Sequence, residues 1–294
     1  MRKRIEAEII NQKGRKVMEY YVGVKREDFS GRRERVSLRK RRAARRRRRK
    51  LFTGLFILLA AGIMFYAKTL FPVLVQTGGE KAQSFLNSIV REDYPQELLE
   101  MLEKNEETYD FVTNYPDREQ YKAQEIDISD IYREGEIPLL MQWDLRWGYN
   151  SYSDSMVGTA GCGPTCMAMA YLGLTGDTQM NPRKMAEYAQ ENGYSTEAGT
   201  SWSFFTEGAA GLGLSGRELP LGEAAMKQSL DEGRVIICSM RPGDFTTTGH
   251  FILLRGYDGK GFFVNDPNSR KNSGRQWDFE TLSGQIKGLW EIGR

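Results

Sequence analysis

The chain of 294 residues has one histidine, His250, and three cysteines, Cys162, Cys166 and Cys238. Any chemistry that needs an imidazole must therefore use His250. Three cysteines do not build a disulfide framework. With a single histidine and no second cysteine pair, they do not furnish a zinc site either. Neither a metal nor a cofactor is expected. No internal repeat and no Walker phosphate loop is present, so no ATPase is fused to the chain. Acidic residues are scarce at the start. Residues 1–50 hold 21 of the 42 Lys and Arg but only 6 of the 39 Asp and Glu, which leaves 21 basic against 33 acidic residues for the rest.

The basic part peaks in Arg39–Lys50, a run that cannot bury itself. Leu51–Ala67 then carries no charge, and after Lys68 the run Thr69–Val75 is apolar again. At about 1.5 Å per residue, helical residues 51–75 would cross a hydrocarbon core of about 30 Å. Lys68 lies toward the C-terminal end, where its stem can reach the interface. A buried core helix fits poorly beside a poly-arginine run. A cleaved signal peptide would need a small-x-small site, and none is evident before the acidic segment. The expectation is an uncleaved single-pass signal anchor in a cell membrane. Residues 1–50 would be cytoplasmic and the C-terminal part extracellular. The basic tail, which lacks interleaved aromatics, would meet anionic lipid headgroups rather than nucleic acid.

Beyond the anchor, residues 76–136 are polar, acidic and helical in pattern, with Leu98, Leu99 and Leu102 at helical spacing and Asp93-Tyr94-Pro95 as punctuation. They read as a helical stalk or N-terminal lobe. Residues 137–294 are dense in aromatics, glycines and short apolar runs, and suffice for one domain with its own core. Helices are expected at Pro164–Leu172, Pro182–Asn192, Ser201–Leu212 and Gly222–Glu232, with Gly193 and Gly233 as stops. Strands are expected at Val235–Met240, His250–Tyr257, Gly261–Asn265 and Gly288–Ile292. Helices first and strands later imply an α+β domain rather than alternating βαβ units.

Cys162, in Gly161-Cys162-Gly163-Pro164-Thr165, opens a helical stretch. Pro164 fits a first helical turn, and the positive end of a helix dipole favours the nucleophilic thiolate. The flanking glycines would leave space for a substrate backbone. Cys166 reads as buried and free, and Cys238, in a strand, as packing. His250 and Asp266 are joined by a predicted hairpin. Taking Asp258-Gly259-Lys260 as its loop, Tyr257 faces Gly261 and Asp266 faces Ile252. His250 is then diagonal to Asp266 on one face, about 7–8 Å away at Cα. A slip of one residue would put the two on opposite faces. In the expected register Asp266 orients the ring and His250 exchanges protons with Cys162. The side-chain amide of Gln142 and the backbone N–H of Cys162 are candidate donors to an oxyanion. Of the tryptophans, Trp143, Trp147, Trp202 and Trp277 either line a cleft or pack the core.

Leu139-Leu140-Met141-Gln142-Trp143-Asp144, Gly161-Cys162-Gly163-Pro164-Thr165, Gly249-His250-Phe251 and Asn265-Asp266-Pro267, in that order, resemble the peptidase-C-thirty-nine-like domain of bacteriocin-processing peptidases. The resemblance covers about residues 137–294. It implies a papain-like fold, helices packed on an antiparallel sheet, with Cys162 as nucleophile, His250 as base and acid, Asp266 as orienting residue and Gln142 as oxyanion donor. Exporter-linked members cut leader peptides after double glycine on the cytoplasmic side. This chain departs from them in having no ATPase and an outward domain, so double-glycine specificity does not carry over. The expected function is a membrane-anchored extracellular cysteine peptidase of a Gram-positive-like bacterium, with a peptide or protein substrate. Two alternatives on the same scaffold are an amidase or transamidase acting on cell-wall peptide and a non-catalytic surface binding domain.

Overall fold

Thr77 and Glu80 form a capping box. Thr77 Oγ1 accepts from the N–H of Glu80 at 3.3 Å, and the carboxylate of Glu80 accepts from the N–H of Thr77 at 2.9 Å. They start α1 (Gly78–Ser88), and α2 (Gln96–Lys104), α3 (Tyr109–Thr113) and α4 (Arg118–Lys122) follow. The computed structural model describes residues 77–294 except Ala198. The expected basic tail and membrane anchor, residues 1–75, lie outside the described residues, among which no helix is long and apolar enough to cross a membrane. Helices α1 to α3 bury Leu86, Leu98, Leu99, Leu102, Phe111 and Val112 in one cluster with Met141, Trp143 and Tyr149. The apolar stripe of this acidic segment thus has a partner in the residues that follow it.

One short hairpin and two helices come next: β1 (Ser151–Tyr152) and β2 (Ser155–Met156), then α5 (Val157–Ala160) and α6 (Cys162–Thr175). After α7 (Pro182–Glu191) come β3 (Ser195–Thr196) and β4 (Gly199–Thr200), a 3-10 turn over Trp202–Phe205 and α8 (Glu207–Gly211). The single helix expected over Ser201–Leu212 is therefore two pieces, broken at Thr206. Helices α6 and α7 take the expected places, and α7 ends at Gly193 in a left-handed conformation, φ 74°.

The remaining elements are β5 (Ser215–Glu218), α9 (Glu223–Asp231), β6 (Val235–Met240), β7 (His250–Asp258), β8 (Gly261–Asn265), α10 (Arg270–Ser273), β9 (Gln276–Trp277), α11 (Phe279–Gln285) and β10 (Ile286–Gly293). Six strands form an antiparallel sheet in the order β5-β10-β6-β7-β8-β9. This is an α+β fold of helices on an antiparallel sheet, as the helix-then-strand order implies. Side chains alternate between two cores. Val235, Ile237 and Leu253 pack with α6 and α7, whereas Ile236, Cys238, Ile252 and Leu254 pack with Met226 of α9 and Leu282 of α11. Burial on both faces explains why Val235–Cys238 of β6 reads as an unbroken apolar run.

The β7–β8 hairpin differs from expectation at its tip. Asp258 pairs with Gly261, so the turn is the two residues Gly259-Lys260, not three. That alone would slip the register by one. A bulge at Arg255 takes the residue back: Gly256 pairs with Phe263, but Leu254 pairs with Val264 and Leu253 with Asn265. The two departures cancel, so that Asp266, one residue past the end of β8, falls at the position opposite Ile252. Arg255 Nε donates to Asn265 Oδ1 at 3.0 Å, which ties the bulge to the strand beside it. Gly261 is required, because a Cβ there would lie 2.3 Å from the carbonyl oxygen of Trp277.

Candidate active site

Cys162 is the first residue of α6. No side chain caps this helix and no acidic residue occupies its first turn, so nothing local offsets its positive end. Cys162 is half-buried. Cys166, one turn further, is fully buried and its Sγ donates to the carbonyl of Phe251 at 3.4 Å. Burial pushes the Cys166 thiol well above its ordinary range, and burial does the same to Cys238 in β6. Cys162 alone of the three reaches the surface.

The flanking glycines are required by the packing around Cys162. They make room for the chain itself. A Cβ at Gly161 would lie 2.5 Å from the carbonyl oxygen of Val157, and one at Gly163 would lie 2.3 Å from Thr200 Oγ1. Thr200 is buried and shares a 2.7 Å hydrogen bond with the hydroxyl of Tyr152. Burial pushes that phenol up to about 12, and the charge of nearby Cys162 adds to it, so Tyr152 stays neutral. Because Thr200 is held on two sides, Gly163→Ala should destabilise the domain by about 1–3 kcal/mol, read as a lower urea midpoint.

His250 opens β7 and is 8% exposed. Its Nε2–H donates to Asp266 Oδ1 at 2.7 Å, the pairing that the compensated register allows. Asp266 is wholly buried, and each of its oxygens has a further donor. The N–H of Asn268 reaches Oδ1 at 2.8 Å, and Asn272 Nδ2 reaches Oδ2 at 2.8 Å. Burial alone would lower the pKa of His250. The charge and hydrogen bond of Asp266 outweigh it, with contact and charge from Cys162 adding, and the imidazole is pushed up to about 10. Nδ1 is the ring nitrogen left for Cys162. No hydrogen bond from Cys162 Sγ meets ordinary geometry among the described residues. Such contacts often tighten only when substrate binds.

Gln142 is 3% exposed and ties the other pieces together. Its backbone N–H donates to the carbonyl of Pro267, next to Asp266, at 2.8 Å. Its side-chain Nε2 donates to the carbonyl of Gly158, four residues before Cys162, at 2.8 Å. One amide hydrogen remains uncommitted, while Oε1 is buried without a hydrogen-bond partner. Of the four tryptophans named as cleft or core candidates, Trp143, Trp147 and Trp277 are core residues, and Trp202 is 40% exposed.

Sequence reasoning missed Asn272, Asn268, Tyr152 and Thr200. A signal for Asn272 existed: Ser269 Oγ accepts from the N–H of Asn272 at 3.1 Å, a helix-cap spacing that announces α10. Tyr152 and Thr200 carried no local signal, because they meet only through the tertiary fold. Asn272→Ala would leave a buried carboxylate oxygen of Asp266 without its donor. It should cost about 1–3 kcal/mol of stability in urea unfolding.

Among solved structures, the chain is similar to one described as a C39-like peptidase from Bacillus anthracis, with 14% identity, a TM-score of 0.34, and coverage of 58% of this chain and 98% of that one. No curated protein matches the chain in sequence. The model of the Peptidase_C39 like family matches residues 134–292, more than half of the chain, and takes in every motif just described. With that match spanning the sheet, α6 and the buried His250–Asp266 pair, the chain belongs to the peptidase-C-thirty-nine-like family.

Proposed function

We propose that this protein is a papain-like cysteine peptidase in which Cys162 attacks, His250 moves protons, Asp266 orients the ring and Gln142 helps bind the oxyanion. The observation that carries the reading is the buried 2.7 Å pair of His250 Nε2 and Asp266 Oδ1, which leaves Nδ1 for the half-buried Cys162 at an uncapped helix start. The thiolate of Cys162 attacks the scissile carbonyl. The N–H of Cys162 and the uncommitted Nε2 hydrogen of Gln142 donate to the oxygen that becomes negative. Imidazolium His250 gives its proton to the leaving amine, and a thioester remains. Water then attacks the thioester, His250 takes a proton from that water, and the carboxylic acid leaves as the Cys162 thiolate and the His250 imidazolium are regenerated. Family membership supports the general class, a peptidase. The buried environment of Asp266 supports its assignment as the orienting residue rather than the acid.

The run Arg39–Lys50 followed by the apolar stretch of residues 51–75 supports a single-pass anchor with the catalytic domain outside the cell. Peptides or proteins at the cell surface are the proposed substrates. A mixed peptide library read by mass spectrometry tests the reaction. New termini at internal peptide bonds, absent with Cys162→Ala, are expected. Release confined to purified peptidoglycan fragments would favour the amidase reading, and no cleavage of either would favour a binding domain.

A further inference from the structure

The acidic N-terminal helices touch the site at a point that the reaction itself does not explain. Asp266 is held by the loop and helix that follow it. The N–H of Asn268 donates to Oδ1, the side chain of Asn272 donates to Oδ2, and Ser273 Oγ accepts from the N–H of Asp266 at 2.8 Å. That loop and helix are in turn held from the N-terminal segment. Asn105 Nδ2 donates to the carbonyl of Asn268 at 2.6 Å. The carboxylate of Glu107 accepts from the N–H of Arg270 at 2.9 Å, the N–H of Lys271 at 3.2 Å and the hydroxyl of Ser269 at 3.2 Å. These residues lie more than 160 positions apart in the chain. Asn105 is itself fixed, because its Oδ1 accepts from the N–H of Glu107 at 3.1 Å.

We infer that Asn105 and Glu107 are positioning residues for the triad, so that residues 77–122 are a working part of the catalytic machinery rather than a spacer. Glu107 supplies acceptors to the first turn of α10, where backbone N–H groups have no helical partner. Without it that turn loses its anchor, and Asn272 loses its fixed distance to Asp266. Asn105 holds the carbonyl of Asn268, whose own N–H donates to the Asp266 oxygen that receives His250. Asn105 therefore acts on the angle of the imidazole through Asn268, and Glu107 through the first turn of α10 and Asn272. The inference rests on the reading of Cys162, His250 and Asp266 as the catalytic set.

Because His250 is the only histidine, its ring gives one set of histidine NMR resonances and reports the pair without assignment. The test uses the full chain with Glu107→Ala and Asn105→Ala, and Glu103→Ala as a control. Glu103 is exposed in the same segment and, among the described residues, pairs only with Arg91, at 3.2 Å. Glu107→Ala should lower kcat for peptide cleavage about tenfold, as a small misplacement of a catalytic group does. KM should stay within about twofold of wild type, and the His250 ring resonances should move. Glu103→Ala should change neither. Glu107→Gln keeps one acceptor oxygen and should fall between, and it carries the test if Glu107→Ala does not fold. Unmoved His250 resonances in Glu107→Ala and Asn105→Ala would overturn the inference, whatever happens to turnover. If cleavage proved independent of Cys162 while those resonances still moved, the coupling would stand and the catalytic reading would fall.

Discussion

Cys162→Ala is expected to abolish peptide cleavage, while Cys166→Ala and Cys238→Ala keep it. Removing the nucleophile of a catalytic triad costs roughly 10⁴- to 10⁶-fold in turnover, which places Cys162→Ala below detection in a peptide assay. The other two cysteines cannot replace it. Cys166 and Cys238 are buried, and their thiols are pushed up by that burial, so neither supplies thiolate or meets substrate. Their loss is a packing matter. Cys166→Ala also removes the donor to the Phe251 carbonyl and should cost about 1–3 kcal/mol of stability. Turnover measured by mass spectrometry and urea midpoints measured by fluorescence separate the two effects. Retained turnover in Cys162→Ala, or its loss in Cys238→Ala with the fold intact, would contradict the assignment.

The second large effect belongs to Asp266→Ala, which strikes stability and turnover together. The pair is buried on both sides, so removing the carboxylate leaves an imidazole without its counter-charge. Breaking such a pair costs about 3–5 kcal/mol. The effect has a definite pH dependence. The pKa of His250 is raised from its ordinary 6.5 to about 10 in the folded chain. The pair therefore stabilises the fold fully below about pH 6.5, and this contribution is lost as pH rises through about 10. The difference in unfolding free energy between wild type and Asp266→Ala should shrink steadily between those values. Turnover should fall about 10²- to 10⁴-fold, since an unoriented imidazole spends little time aligned with the thiol. A stability difference that is flat or grows with pH would mean that the ring is not held protonated by Asp266.

Much of this was legible in the sequence, for reasons that can be named. Strands β6 and β8 were legible to the residue, because burial on both faces makes apolar runs of strand length bounded by Gly or charge. Helix α6 was legible from Gly-Pro at its start and α7 from the glycine at its end. The His250–Asp266 contact came from a register argument whose loop length was wrong. It survived because the bulge at Arg255 restores the residue that the tighter turn removes, and no pattern in the hairpin sequence announces a bulge. Strand β5 was not legible, since its exposed Ser215-Gly216-Arg217-Glu218 lacks apolar alternation and pairs with β10 only at the sheet edge. Glycines beside Cys162 suggested an open cleft, yet Val157, one turn back, meets Gly161, and Thr200 meets Gly163, the latter a contact that only tertiary structure creates. The donors to Asp266 from α10, and the hold of Asn105 and Glu107 on that helix, join residues too distant in sequence for any local rule to pair.

The rate at which iodoacetamide alkylates Cys162 as pH is varied tests the central claim, that Cys162 and His250 act as one unit. Peptide mapping by mass spectrometry confines the reading to Cys162, the only half-buried cysteine. A helix dipole contributes about 0.3–1 kcal/mol to holding a thiolate, whereas an imidazolium partner holds it down through several pH units. Alkylation at pH 6 should therefore be at least about tenfold slower in His250→Ala than in wild type, with Asp266→Ala between the two. Superimposable rate profiles for wild type and His250→Ala would mean that the two residues never meet in solution, and the catalytic triad would be refuted.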